Sequence, residues 1–150
     1  MEQFLQQWFY HYEKGDGVDI TALKPDTLTS WQQLLSQAKQ GQLESWKKTP
    51  PGRLGLILLM GPIAHLLDDD TALTLQTTAR ELCVSGVERG FDTQLEPIQR
   101  RCFYDPLFYS SKADDKALLL RLLQGMQSQL ASDSKPAWSA WYKQAAITLQ

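Results

Sequence analysis

Histidine and cysteine are scarce in this chain, with two of each among 150 residues. No cluster of His, Cys and carboxylates stands at zinc-ligand spacing, so a structural or catalytic zinc site is not expected. An excess of charge of one sign is also missing: 15 basic and 17 acidic side chains leave a formal charge of −2. That balance gives no electrostatic reason to expect nucleic acid or an anionic membrane as a partner. Long apolar runs are absent too, since Leu54 to Met60 falls far short of the ~20 residues a membrane span needs. The start, Met1-Glu2-Gln3, lacks the basic region of a secretory leader, and a cytoplasmic protein is expected. No glycine-rich loop follows a strand pattern, which removes phosphate cradles of the Walker or Rossmann kind.

What is present is an ordinary globular composition, 43% hydrophobic and 21% charged. A chain of this length is expected to form one domain over residues 1–150 and to bury a core without staples. Cys83 and Cys102 each fall inside an apolar helical pattern, where a free thiol behaves as a small hydrophobe. Two reduced core cysteines are expected, and no disulfide.

The periodic segments all read at helical spacing. Phe4, Leu5, Trp8, Phe9 and Tyr12 form one wide stripe over residues 2–14, closed by Gly15-Asp16-Gly17. A cap at Thr29 or Ser30 is expected to open a helix through Trp31, Leu34, Leu35 and Ala38 that stops at Gly41. Thr49-Pro50-Pro51 is a strong helix entry, a hydroxyl cap followed by prolines whose missing N–H is harmless in a first turn. The following run to Met60 is apolar nearly all round, which predicts a buried central helix, and Gly61-Pro62 should kink or end it. Asp68-Asp69-Asp70 is expected to open a helix to Arg89 whose buried face holds Leu73, Ala79, Leu82, Cys83, Gly86 and Val87. Pro97 begins another helix reaching Pro106, residues 114–131 form a Leu-rich one, and Lys135-Pro136 starts a last one. The sum is an all-α protein of about seven antiparallel helices without a sheet.

The central text carries a resemblance. Gly41-Gln42-Leu43-Glu44-Ser45-Trp46, then Thr49-Pro50-Pro51-Gly52-Arg53-Leu54-Gly55-Leu56-Ile57-Leu58-Leu59, resembles the bacterial domain-of-unknown-function family 924, which reads G-x-L-x-x-W and then T-P-x-G-x-L-A-L-I-L-L-L-D-Q-F-x-R-N. Trp8-Phe9 matches the family's opening W-F, and Leu95 to Pro106, with Arg100 and Tyr104, follows its L-P-P-x-x-R-x-x-x-Y-x-P. The likeness spans roughly residues 4–130. It implies helices stacked in a tetratricopeptide-like (TPR-like) superhelix and implies no activity. The chain departs from the family at two polar places. Asp-Gln-Phe-x-Arg-Asn becomes Gly61-Pro62-Ile63-Ala64-His65-Leu66, and Glu-His-Ser-Glu becomes Phe108-Tyr109-Ser110-Ser111. The family's closing Phe-Gly-Arg-Phe-Pro-x-Arg-Asn is missing.

Candidate chemistry is correspondingly thin. His65 stands near Asp68 to Asp70, but without a nucleophile at recognisable spacing it reads as a partly exposed helix-end residue. His11 lies on the first helix away from much of its aromatic stripe. Three consecutive Asp residues point different ways, unlike the alternating donors of a calcium loop, and read as helix N-terminal charge. No metal and no cofactor is expected. Arg53, Arg100, Arg101, Tyr104 and Tyr109 are the polar set that stands out, as buried ion-pair partners or as an anion-binding pocket between helices. Trp138, Trp141 and Tyr142 near the end have few large apolar companions and are the candidate partner surface, for another protein or a second copy of this chain. The leading expectation is a non-enzymatic protein-binding module, and the alternative a small-molecule or enzymatic pocket around Arg53, Arg100 and Tyr104.

Overall fold

A computed structural model describes residues 1–12, 21, 23–67, 69–127, 139, 140 and 143. It is all-α, and no strand occurs among the described residues. Trp138, Trp141 and Tyr142, with the last expected helix, lie outside the described residues.

Helix α1 (Glu2–Tyr12) buries Phe4, Leu5 and Trp8 against α2 (Pro25–Lys39) and α3 (Pro50–Leu58). The contact is aromatic: Phe4 meets Trp31 edge-on at 5.8 Å, and Trp8 lies 5.9 Å from the same indole. Trp31 Nε1 donates to Gln7 Oε1 at 3.1 Å, so the buried indole keeps a hydrogen bond. Helix α2 begins a turn earlier than Thr29, because Pro25 at its first position presets a helical φ and needs no side-chain cap. It ends as expected. Gly41 sits at φ +75°, its N–H bonds to Ala38 O, and the Gln42 N–H bonds to Gln37 O, a Schellman closure.

Glu44–Lys48 form a 3₁₀ turn that lays Trp46 beside Gly55 and leads to Thr49. Thr49 Oγ1 accepts from the Gly52 N–H at 3.2 Å and opens α3, every residue of which from Gly52 to Leu58 is buried. At Gly61-Pro62 the regular α-helix gives way, as expected, without the chain leaving the helix altogether. Pro62 has no N–H, and its ring would collide with the carbonyl one turn back. The ladder widens instead into a π-turn over Leu59–Ile63, with the Ala64 N–H bonded to Leu59 O, and runs on into α4 (Ala64–Leu66).

Helix α5 (Ala72–Glu88) starts after the Asp run rather than within it. Asp69 is spent at the junction, where its carboxylate accepts the Thr71 N–H at 2.8 Å and hydroxyl and pairs with Lys39 Nζ of α2 at 2.9 Å. The buried stripe of α5 is Leu75, Ala79, Leu82, Cys83 and Gly86. Leu73, expected on that stripe, is 81% exposed, because the periodicity fits Leu75 instead. Gly90 at φ +74° closes α5 as Gly41 closes α2, with the Phe91 N–H on Gly86 O. A capping box of Glu96 and Gln99 opens α6 (Pro97–Phe103). Tyr104 interrupts the chain before the short α7 (Asp105–Phe108), and α8 (Ala113–Gln127) follows. Cys83 and Cys102 are both fully buried and are not joined in a disulfide.

Two predictions follow from these contacts. A Cβ on Gly86 would stand 2.5 Å from Phe103 Cζ and 2.8 Å from Arg53 Cδ, both side chains of the core. Gly86→Ala should therefore destabilise the protein by about 1–3 kcal/mol, read as a lower urea midpoint. The bonds from Thr71 and Lys39 hold the Asp69 carboxyl down at about 2, below its ordinary 3.8. A lowered carboxyl stabilises the fold above its ordinary pKa and loses that contribution as pH falls towards the folded value. Urea midpoints should thus drop between about pH 4 and pH 2, and Asp69→Asn should show a smaller drop over that interval.

Candidate functional site

The residues singled out from sequence go to three different places. Arg53 is buried at the start of α3, where its Nε donates to Lys47 O at 3.1 Å and its Nη1 to Leu82 O at 3.2 Å. Its guanidinium lies 5.3 Å from the Phe91 ring centroid, and burial together with nearby Arg89 lowers its pKa. Arg100 and Tyr104 do meet. Arg100 Nη2 donates to Tyr104 Oη at 3.1 Å, and that hydroxyl donates to Asp92 Oδ2 at 2.5 Å. Burial and Asp92 push the Tyr104 phenol up, so it stays a neutral donor. This buried set ties the 3₁₀ turn Asp92–Gln94 to α6. Neither Arg53 nor Arg100 and Tyr104 is among the side chains that line the cavity beside Tyr109, and both sets make hydrogen bonds within the protein. Arg53 and the Arg100–Tyr104 pair are thus two separate buried sets, and Tyr109 belongs to neither.

Tyr109 is elsewhere, and with it a cavity of about 660 Å³. The π-turn and α4 supply Gly61, Pro62, His65 and Leu66 on one side, and α5 supplies Leu73, Gln76, Thr77 and Arg80. The opposite wall is Arg101, Asp105, Pro106 and the loop Tyr109 to Lys112, with Trp8 of α1 also reaching the cavity. Sequence reasoning named Tyr109, Arg101 and His65 but not Arg80 or Lys112.

The wall is charged yet ordered. Arg80 grips Asp115 of α8 with Nε at 2.6 Å and Nη2 at 2.8 Å, a fork on a carboxylate that also accepts the Ser110 hydroxyl at 2.5 Å. These bonds lower the Asp115 pKa. Arg101 and Asp105 form a buried pair one turn apart, and the Arg101 guanidinium lies 3.6 Å from the centre of the Phe108 ring. Burial raises the Asp105 carboxyl above its ordinary range even though Arg101 pulls it down. Lys116 donates to Phe108 O, and burial lowers its pKa. The one serine at this wall with a carboxylate partner, Ser110, is bonded to an Asp115 already neutralised by Arg80. Such a carboxylate is a weak base, and the arrangement suits binding better than nucleophilic attack. No group of three His, Cys, Asp or Glu side chains placed to hold a metal ion occurs among the described residues, and no described helix is long and apolar enough to cross a membrane.

Comparison with known proteins places the chain in a family. Residues 2–148 match the family described as "Bacterial protein of unknown function (DUF924)", and the chain belongs to it. The match reaches beyond the 4–130 expected from the motifs. No curated protein and no solved structure matches the chain. Within the structure the two segments that depart from the family text come together. Gly61, Pro62, His65 and Leu66 from the first, and Tyr109, Ser110 and Ser111 from the second, all line the one cavity.

The Arg101–Asp105 pair offers a direct test of this wall. Arg101→Met should leave a buried carboxylate without its partner and destabilise the protein by about 3–5 kcal/mol. Adding Asp105→Leu removes the orphaned charge, and chemical denaturation should show the double variant recovering most of that loss.

Proposed function

We propose that this protein is a binding protein without catalytic chemistry, and that its ligand is a small organic molecule held in the cavity between the π-turn, α5 and α7. One observation carries the reading. Leu73 and Tyr109 are 81% and 76% exposed, the most exposed large apolar side chains among the described residues, and both line this cavity. Apolar side chains gathered at the edge of a concavity mark a surface that is covered in use. The volume falls within the range of about 300–1,000 Å³ typical of small-molecule sites. The convergence of the two divergent segments on the same walls adds support, because a change of ligand within a family is made where the ligand is touched.

A second reading, a module that binds a protein or a second copy of itself, draws on the same two exposed side chains. It also draws on the TPR-like stacking that the family resemblance implies. The partner would then lie across Leu73 and Tyr109, with Trp138, Trp141 and Tyr142 as the further candidate surface.

A thermal-shift screen of small organic compounds separates the two. The ligand reading expects compounds that raise the melting temperature, and it expects Leu73→Ser and Tyr109→Ser each to weaken them about tenfold by removing apolar contact. Both variants should fold normally, since exposed positions carry little stability. A library without a single hit, together with concentration-dependent sedimentation abolished by Leu73→Ser, would favour the partner instead.

A further inference from the structure

The geometry points to a small monoanionic carboxylate with an apolar aryl or alkyl body as the ligand class of this cavity, an inference that rests on the cavity being a ligand site. The charge of the wall carries it. Arg80, Arg101 and Lys112 line the cavity, against Asp105 on the wall and Asp115 just behind it. With Arg80 matched by Asp115, Arg101 by Asp105, and Lys116 turned to Phe108 O behind the wall, Lys112 leaves one positive charge over at the cavity, on a chain whose overall charge is −2.

The surplus can be located. Arg80 is fully engaged, with two N–H donors on Asp115. Lys112 is exposed and makes no ion pair among the described residues; its backbone N–H bonds Ser110 Oγ at 3.1 Å and fixes the loop beside Asp115. Arg101 is 6% exposed, and its Nε–H is buried without an acceptor although Asp105 takes Nη1. A buried guanidinium with an unmet donor is costly unless a further acceptor arrives, and burial strengthens its pull on an incoming anion.

One surplus charge matches one negative charge. A carboxylate restores neutrality, whereas a phosphate dianion would overshoot it. A guanidinium presents a planar fork suited to a carboxylate, and Lys112 adds a mobile point charge at the edge. Pro62, Leu66, Leu73 and Tyr109 add apolar wall among polar side chains such as Gln76 and Thr77, which favours a ligand with a body over a bare anion.

Isothermal titration of the full chain with 3-phenylpropionate and octanoate, their primary amides, and inorganic phosphate tests the assignment. At least one carboxylate should bind about tenfold more tightly than its amide, and added salt should weaken it. Lys112→Gln should reduce that preference about threefold, as expected of a partly exposed charge, while Lys48→Gln, away from the cavity, should leave it unchanged. Amides that bind as tightly as the acids overturn the anion assignment and leave the cavity reading standing. Phosphate binding as tightly as the carboxylates overturns the need for an apolar body. Failure of every acid and amide to bind overturns both the assignment and the cavity reading.

Discussion

From Gly52 to Met60 no residue has appreciable contact with solvent, so the other helices must cover α3 on every side. That constraint orders the molecule. Glycines at 52 and 55 let Trp46 close in, and Gly86 does the same for Phe103, where a Cβ would hold them off. Arg53 is the exception in this apolar setting. It enters the core only because a 3₁₀ turn offers Lys47 O and α5 offers Leu82 O, so that its donors are met by carbonyls where no carboxylate stands. The charge is tolerated because the backbone around it was already placed by the packing of α3 against α5.

The cavity arises where this coverage runs out. Pro62 forces a π-turn, and the widened backbone passes into a helix of only three residues, α4. On the facing side Tyr104 breaks the chain between α6 and the four-residue α7. Short helices cannot lay a continuous apolar stripe against α5, and the gap left between them is lined by side chains anchored elsewhere. Arg80 is held from α8 through Asp115, and Arg101 by Asp105 and Phe108. Polar groups fixed from behind keep their places whether or not the cavity is filled, which is the property a preformed binding site needs.

Much of the fold was legible because its signals are local. The Thr49-Pro50-Pro51 entry, the Gly41 and Gly90 closures and the all-round apolar run of α3 each depend on a few adjacent residues. The errors share a cause. Pro25 could serve as a loop residue or as a helix start, and the Asp run could cap a helix or, as Asp69 does, tie a junction to Lys39 thirty residues away. Leu73 was misplaced because two leucines, 73 and 75, compete for one stripe, and only the packing of Ala79 and Leu82 selects Leu75. The site was harder still. Arg100 and Arg101 are adjacent, and a helix turns successive side chains by about 100°. The resemblance drew attention to Arg100, which faces Tyr104 and Asp92, whereas its neighbour reaches the cavity.

That adjacency also explains how the chain could change one arginine's surroundings without disturbing the other's. Arg100 and Tyr104, which match the text of the family, bond with Asp92 inside the protein and tie α6 to the turn before it. Gly61, Pro62, His65, Leu66 and Tyr109 to Ser111, in the segments that depart from that text, line the cavity instead. A scaffold that meets its own polar demands frees the remaining wall to follow a ligand. The first divergent segment lacks both an Asp and an Arg of the family text, which leaves its charge balance as it was, whereas the second lacks two Glu. Beside that second segment Arg101 and Lys112 line the cavity with fewer carboxylates to neutralise them.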